Sequence, residues 1–478
     1  MAEPRAGSVL PPALIAGGLA GYLGLHLLEP SLPITWSYAH LGRSPMLRPL
    51  AIALVIALPL VVMRLRRTAG WDAPLRTLSP AALVGMVLAL GVVVWGLGLV
   101  GSSLPLPEGR RFVEAQDFYA DKRFFVATVN DDTFRIPRWH LTLWALHGVV
   151  GTFVHVPMPQ DVPGPVAVVI YHVNEALGVV ALTALALAAR ALAATRGEAV
   201  AIWLLAATTF GTLELAAGYV DVYPTVIAVL ALYLWTALRA ARGELHPVWP
   251  LTIAALGPFW YEGLLLIGPS AALLVVLVAC RPRGLRVLAV SLGVALAAAG
   301  AATLPDYGAV FAWRVFASDV VAHNAVEFGY SPTSNLVPWH YLATALHARE
   351  VLHTLLLVDG VGMLLVLVLA PALVRRCWRE REMVLLAALV APYLAYAVWM
   401  DPVYGAFADW DLFSYGGVAT SLLGAALLVR WGRQGSPAFA PLLGLCLAAN
   451  VVHLLARFHA LDVDLVRHLL ESPRHVPG

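Results

Sequence analysis

The chain has 478 residues, 60% of them hydrophobic and 13% charged, with a formal net charge of +2. Soluble domains carry about 25% charged residues, so this composition excludes a water-soluble globular protein; the near-neutral balance itself says little about partners, and no nucleic acid is expected among them. Of 31 basic residues only Lys122 is a lysine, and the cysteines Cys280, Cys377 and Cys446 show neither a disulfide framework nor metal-ligand spacing.

Apolar runs fall near residues 9–28, 47–63, 79–101, 164–189, 198–217, 224–238, 247–258, 263–280, 287–303, 351–373, 383–399, 412–429 and 437–455. They predict an all-α polytopic membrane protein with about 13 transmembrane helices. Polar residues do not alternate along these runs as a transmembrane barrel requires. The first run lacks a basic flank and a small-residue cleavage site, so it is expected to stay in the membrane rather than leave as a signal peptide. Arginine clusters at Arg64–Arg76, Arg190–Arg196, Arg239–Arg242, Arg281–Arg286, Arg375–Arg381 and Arg430–Arg433 follow every second crossing, whereas the links 218–224, 259–263 and 400–411 hold no Lys or Arg. The positive-inside rule then places the N-terminus inside and the C-terminus outside. In 247–280, parity requires two short helices meeting near Pro258-Phe259-Trp260.

Two outer loops are long, 102–163 and 304–350, and long loops on one face carry function. The first ends in an apolar stretch with His140, His147 and His155, the pattern of interfacial helices. The reading divides the chain into two N-terminal helices over 1–78, a core over 79–455 and an outer tail over 456–478.

Acids recur on the outer side. Asp117 and Asp121 are four apart and share a helix face. Either could take a proton from an acceptor hydroxyl, or pair with Lys122 or Arg123. Asp131-Asp132 is a weak candidate for a divalent cation and equally a turn signal. No cofactor is otherwise indicated. Gly218-Tyr219-Val-Asp221-Val-Tyr223-Pro224 places an acid between two tyrosines in an outer turn, fit to orient a sugar hydroxyl or to cap the next helix. Trp260-Tyr261-Glu262 could stack on a sugar ring and hydrogen-bond it, or form part of an interfacial aromatic belt. Asp401 to Asp411 sets Asp401, Asp409 and Asp411 beside Trp410 with no local cation. Outer cations such as Arg314, Arg349, His323 and His347 could grip a lipid-linked phosphate. Gly360 and Gly362 read as helix packing.

Together these motifs resemble the GT-C superfamily of integral membrane glycosyltransferases, in particular protein O-mannosyltransferase-like and aminoarabinose-transferase-like bacterial proteins. The resemblance rests on four features: the acid-bearing first loop from Gln116-Asp117-Phe-Tyr to Arg138-Trp-His140, the Gly-Tyr-Val-Asp221-Val-Tyr-Pro turn, the Ala408-Asp409-Trp-Asp411-Leu-Phe link, and the helical layout over 79–455. It implies sugar transfer from a polyprenyl-phosphate donor, a membrane lipid, to a glycan, lipid or protein acceptor on the outer face of a bacterial inner membrane. Asp117 would act as base, with Asp121 as alternate. Asp117, Asp221, Glu262 and Asp409/Asp411 are expected to face one outer cavity. A lipid-glycan transporter using Glu175, Glu214 or Asp359, or a non-catalytic scaffold, is the alternative.

Overall fold

The computed structural model describes residues 10–27, 47–68, 70–75, 78–103, 148–149, 164–219, 222–303, 342–377, 379–399 and 410–460. Its helices, in chain order, are α1 (Leu10–Leu27), α2 (Leu47–Arg66), α3 (Pro80–Ser103), α4 (Gly164–Leu192), α5 (Arg196–Ala207), α6 (Phe210–Ala216), α7 (Tyr223–Arg242), α8 (Val248–Trp260), α9 (Gly268–Ala279), α10 (Gly284–Thr303), α11 (Ala345–Cys377), α12 (Arg381–Trp399), α13 (Trp410–Gly432) and α14 (Phe439–Ala460). No named strand occurs among the described residues. Nine helices there are long and apolar enough to cross a membrane, ten if the bent pair α5 and α6 forms one span. The protein is an all-helical, integral membrane protein.

Every apolar run of the sequence contains helix, and two of them, 198–217 and 351–373, are interrupted. The 198–217 run bends by 79° between α5 and α6. Thr208 Oγ1 donates to the Leu204 carbonyl at 2.7 Å, and Thr209 caps α6 by accepting from Thr212 N at 3.4 Å. The Thr209 hydroxyl thus satisfies an N–H that a bend inside hydrocarbon would otherwise leave open, while the Leu204 carbonyl also accepts from the Thr208 backbone N–H at 3.0 Å. The 247–280 segment forms two short helices, α8 and α9, joined by extended Tyr261 (φ −164°, ψ 133°) and a 3-10 turn over Glu262–Ile267. The 351–373 run lies in α11, which breaks at Asp359 (φ −159°, ψ 65°).

α13 is the axis. Its span Phe413–Gly432 is wholly buried, against α11 most extensively, then α5, α12, α6 and α7. Small residues permit this closeness. A Cβ on Gly424 would lie 2.7 Å from the Gly362 carbonyl oxygen, and one on Gly360 would strike the Tyr22 ring. Gly360 and Gly362 thus serve close packing, since helices in lipid associate through backbone approach rather than hydrophobic exclusion. A polar chain crosses the interior as well. Tyr233 Oη donates to Ser270 Oγ at 3.0 Å, which donates to the Leu385 carbonyl at 3.2 Å, tying α7, α9 and α12 together. α2, α3 and α10 form the periphery, with Ile56, Leu60, Leu88, Val92 and Leu296 exposed as lipid-facing surface. α1 lies on α14 and α11, and α2 on α14, so the first two helices join the same bundle.

The arginine-bearing helix ends gather at one end. Arg242 Nε donates to Glu382 at 2.5 Å, Arg430 Nε to Glu380 at 2.6 Å, and Arg433 Nε and Nη2 to Glu198 at 2.8 and 2.7 Å. Glu198 also accepts from Ala194 N at 2.6 Å and completes a capping box with Thr195. The Arg281 guanidinium donates to the Ala241 carbonyl at the same end. Burial first, then nearby Arg381, lowers the Arg281 guanidinium from its ordinary value. The 20 residues of α7 separate Arg242 from Tyr223 by about 30 Å, which puts the candidate site at the opposite end.

Candidate functional site

At the end away from the arginines, three helix links approach one another. The first follows α6. Gly218 adopts φ +103°, and a Cβ there would lie 2.7 Å from the Tyr171 ring and 2.9 Å from Glu175 Cγ. Only glycine fits both the backbone and the space. The turn is fastened by Asn174 Nδ2, which donates to the buried Tyr219 carbonyl at 2.6 Å. Beside it His172 Nδ1 meets Glu175 Oε2 at 2.7 Å. Tyr223 then opens α7, with Pro224 in its first turn.

The second link is the break between α8 and the 3-10 turn. Trp260 ends α8 half-buried, Tyr261 is extended and buried, and Glu262 opens the turn. Gly263 lets this turn lie on Tyr415, since a Cβ there would come within 2.6 Å of Tyr415 Oη. The third is the start of α13, where Trp410 and Asp411 are the first two helical residues, followed by Phe413 and Tyr415.

Tyrosines join these links. Tyr261 Oη donates to Tyr223 Oη at 3.4 Å. The ring centroids of Tyr223 and Tyr261 are 5.5 Å apart, those of Tyr261 and Tyr415 5.9 Å, and Tyr223 stacks on Tyr415 at 6.3 Å and 14°. From α12, Tyr393 meets Tyr415 edge-on at 5.3 Å and Tyr396 lies 6.4 Å from it. Offset and edge-to-face aromatic pairs each contribute about 0.5–1.5 kcal/mol beyond their burial. The cluster is therefore a stiff, largely buried floor beneath these links, with Tyr261, Tyr393 and Tyr415 buried and Tyr223 and Tyr396 half-buried.

Of the residues singled out in the sequence, Tyr223 and Tyr261 are brought into direct contact, and the backbones of Glu262, Trp410 and Asp411 enter from neighbouring links. Tyr219 lies buried at the Gly218 turn. His347 is buried at the start of α11, where its Nε2 donates to the Val398 carbonyl at 2.8 Å, joining α11 to the end of α12. Arg349, two residues on, is exposed. Asp117, Asp121, Asp131, Asp132, Asp221, Arg314, His323 and Asp409 lie outside the described residues, as do the side chains of Glu262, Trp410 and Asp411. Among the described residues no group of three or more His, Cys, Asp or Glu could hold a metal ion. Tyr415, Tyr393 and Tyr396 were not singled out by sequence. The signal for Tyr415 is faint: a tyrosine preceding Gly416-Gly417, four residues after Asp411.

No family model matches the chain, and no curated protein sequence matches it. Among solved structures, the chain is similar to ArnT from Cupriavidus metallidurans, in a crystal structure bound to undecaprenyl phosphate, with 13% sequence identity, coverage of 82% of this chain and 78% of that one, and a TM-score of 0.44.

Proposed function

We propose that the chain is a membrane glycosyltransferase of the GT-C type, moving a sugar from a polyprenyl-phosphate donor to an acceptor at the face opposite the arginine-bearing ends. The observation that carries this reading is the meeting of Tyr223, Tyr261 and Tyr415. Each lies on or beside a link whose motif resembles that superfamily or pairs aromatics with an acid. A sugar offers apolar C–H faces and hydroxyls, and aromatic rings joined by acids from the adjoining links would complement both.

In this reading Asp117 takes the proton from the acceptor hydroxyl as that oxygen bonds to the sugar's anomeric carbon. The bond from that carbon to the donor phosphate breaks, and the polyprenyl phosphate leaves as an anion. Arg349 and Arg314 neutralise the leaving phosphate, a role that suits the guanidinium fork. Asp221, Glu262 and Asp409/Asp411 orient sugar hydroxyls. Glutamine or asparagine in place of such acids keeps shape and removes the negative charge, so the roles are separable.

The test is transfer of radiolabelled sugar from polyprenyl-phosphate donors by the purified protein in lipid. Covalent product that drops about 10²-fold or more in Asp117→Asn is expected for a general base. Full transfer by Asp117→Asn removes that assignment. Movement of intact donor across vesicles without covalent product replaces the transferase reading with a transporter.

A further inference from the structure

The turn between α9 and α10 carries charge that the bundle does not neutralise. Arg281, Arg283 and Arg286 stand in it or just after it, and Arg381 opens α12 nearby. The turn is tight: Arg281 N donates to the Val278 carbonyl at 3.0 Å, and Gly284 N to the Arg281 carbonyl at 2.9 Å. It sets Arg283 at φ +62°, the left-handed region that a bulky side chain rarely enters. Among the described residues no other non-glycine does so. Strain of this kind persists where a functional side chain is held in place. Glycine at 283 would relax the backbone and remove the charge together.

Three relations bring these groups to one corner. The Arg281 guanidinium donates to the Ala241 carbonyl at the C-terminal end of α7, and its Nη1 lies 3.4 Å from where a Cβ on Gly243 would stand. Arg242, the next residue of α7, holds Glu382 at 2.5 Å, and Glu382 is the neighbour of Arg381. Arg381 is in turn near enough to Arg281 for the like charges to repel. The acids of the corner are already engaged: Glu244 with Arg239 and Arg242 at 3.4 and 3.7 Å, Glu382 with Arg242, and Glu380 with Arg430. Arg281, Arg283, Arg286 and Arg381 enter none of the ion pairs among the described residues. Arg283, Arg286 and Arg381 are exposed, and Arg281 is half-buried.

From this corner an apolar stripe runs along the bundle. Leu285, Leu292 and Leu296 are exposed at positions i, i+7 and i+11, one face of α10. Trp249, exposed near the start of neighbouring α8, carries the amphipathic ring that settles at a membrane interface. A cation cluster at the head of a leucine stripe complements a molecule with phosphate at one end and acyl chains at the other. Guanidinium forks suit the phosphate, and basic pockets between membrane helices bind such headgroups. We propose that Arg281, Arg283, Arg286 and Arg381 hold the phosphate of an anionic phospholipid from the surrounding bilayer, with its acyl chains along the leucine face of α10. The lipid offsets the repulsion among the arginines and ties the ends of α7, α9 and α12. The site lies at the end opposite the tyrosine cluster and stands independently of the transferase reading.

The test is thermal unfolding of the purified full-length protein in non-ionic detergent, at constant ionic strength, with added phosphatidylglycerol, phosphatidylcholine or inorganic phosphate. The melting midpoint is expected to rise with phosphatidylglycerol and saturate, and to stay level with the other two. Arg381→Gln should raise the phosphatidylglycerol concentration that gives half the rise by about fivefold, the attraction of one arginine to an anionic headgroup. The matched control Arg67→Gln, at the end of α2, should not. Arg283→Gly should unfold no earlier than the wild type without lipid, yet show the same weakened response. No rise with phosphatidylglycerol overturns the proposal. So does an equal rise with phosphatidylcholine or inorganic phosphate, which leaves a general lipid effect or a free-ion site. An equal loss in Arg67→Gln overturns it too, leaving only the diffuse attraction of a basic face. If Arg381→Gln does not fold, Arg283→Gly decides, and a full response in that variant counts against the site.

Discussion

Replacing Gly424 with alanine tests the packing on which the architecture rests. In an uncrowded helix this change is stabilising by up to about 1 kcal/mol, because glycine costs backbone entropy. At Gly424 the new Cβ would lie 2.7 Å from the Gly362 carbonyl oxygen, 3.1 Å from Gly362 Cα and 3.1 Å from Leu365 Cβ. Ordinary contact begins near 3.4 Å, so α11 must retreat by about 0.7 Å from the helix it touches most. Overpacking of this kind costs about 1–3 kcal/mol. The net expectation is a loss of about 1–2 kcal/mol, opposite in sign to the intrinsic preference. Gly91 on peripheral α3 has nothing within 4 Å of its Cβ position, so Gly91→Ala is the control and should be neutral or stabilising. Thermal unfolding of both variants in the same detergent, followed by size-exclusion fluorescence, gives the answer. A Gly424→Ala protein at least as stable as Gly91→Ala would refute the close α11–α13 contact.

Further expectations concern both ends of the bundle. Tyr261→Ala, which removes the ring that packs on both Tyr223 and Tyr415, should raise the KM for the donor in the transfer assay, whereas Tyr261→Phe keeps ring packing and loses only the 3.4 Å contact to Tyr223. An unchanged KM in the alanine variant separates the floor from sugar binding. The two hydrogen bonds between Arg433 and Glu198 should appear in a double-mutant cycle of Arg433→Gln and Glu198→Gln as a coupling of about 0.5–3 kcal/mol in unfolding free energy, with zero coupling contradicting the pairing. Cys280 is exposed at the arginine end while Cys377 and Cys446 are buried. A membrane-impermeant maleimide should therefore label Cys280 in inverted vesicles and not in intact spheroplasts, and the reverse pattern would invert the proposed orientation.

Hydropathy made the helices legible because lipid imposes length and apolarity on each crossing. It could not register the interruptions. Thr208-Thr209 and Asp359-Gly-Val-Gly362 are short polar signals inside runs whose average remains apolar, and their effect depends on which backbone groups they satisfy. The parity of arginines anticipated two short helices over 247–280, since charge placement is a chain-order property. Tyr415 escaped notice for the opposite reason. It sits 192 residues from Tyr223 in sequence and joins the aromatic cluster only when α13 is threaded through the middle of the fold. The acids that drew attention in the sequence are flagged by composition alone, whereas the floor they would stand on is a tertiary feature.

The burial of α13 has a consequence for how the chain is made. Of the nine candidate spans it is the least apolar and the only one wholly enclosed by protein. Its Ser414, Thr420 and Ser421 face other helices rather than acyl chains. A segment of this kind gains little by entering bare lipid, so its partition out of the insertion machinery depends on finding helices already in place. α5, α6, α7, α11 and α12 precede it in synthesis and supply most of that sheath. Biogenesis should accordingly be ordered. A chain truncated before α13 leaves a groove awaiting its plug, and a chain lacking α11 leaves α13 stranded at the membrane surface.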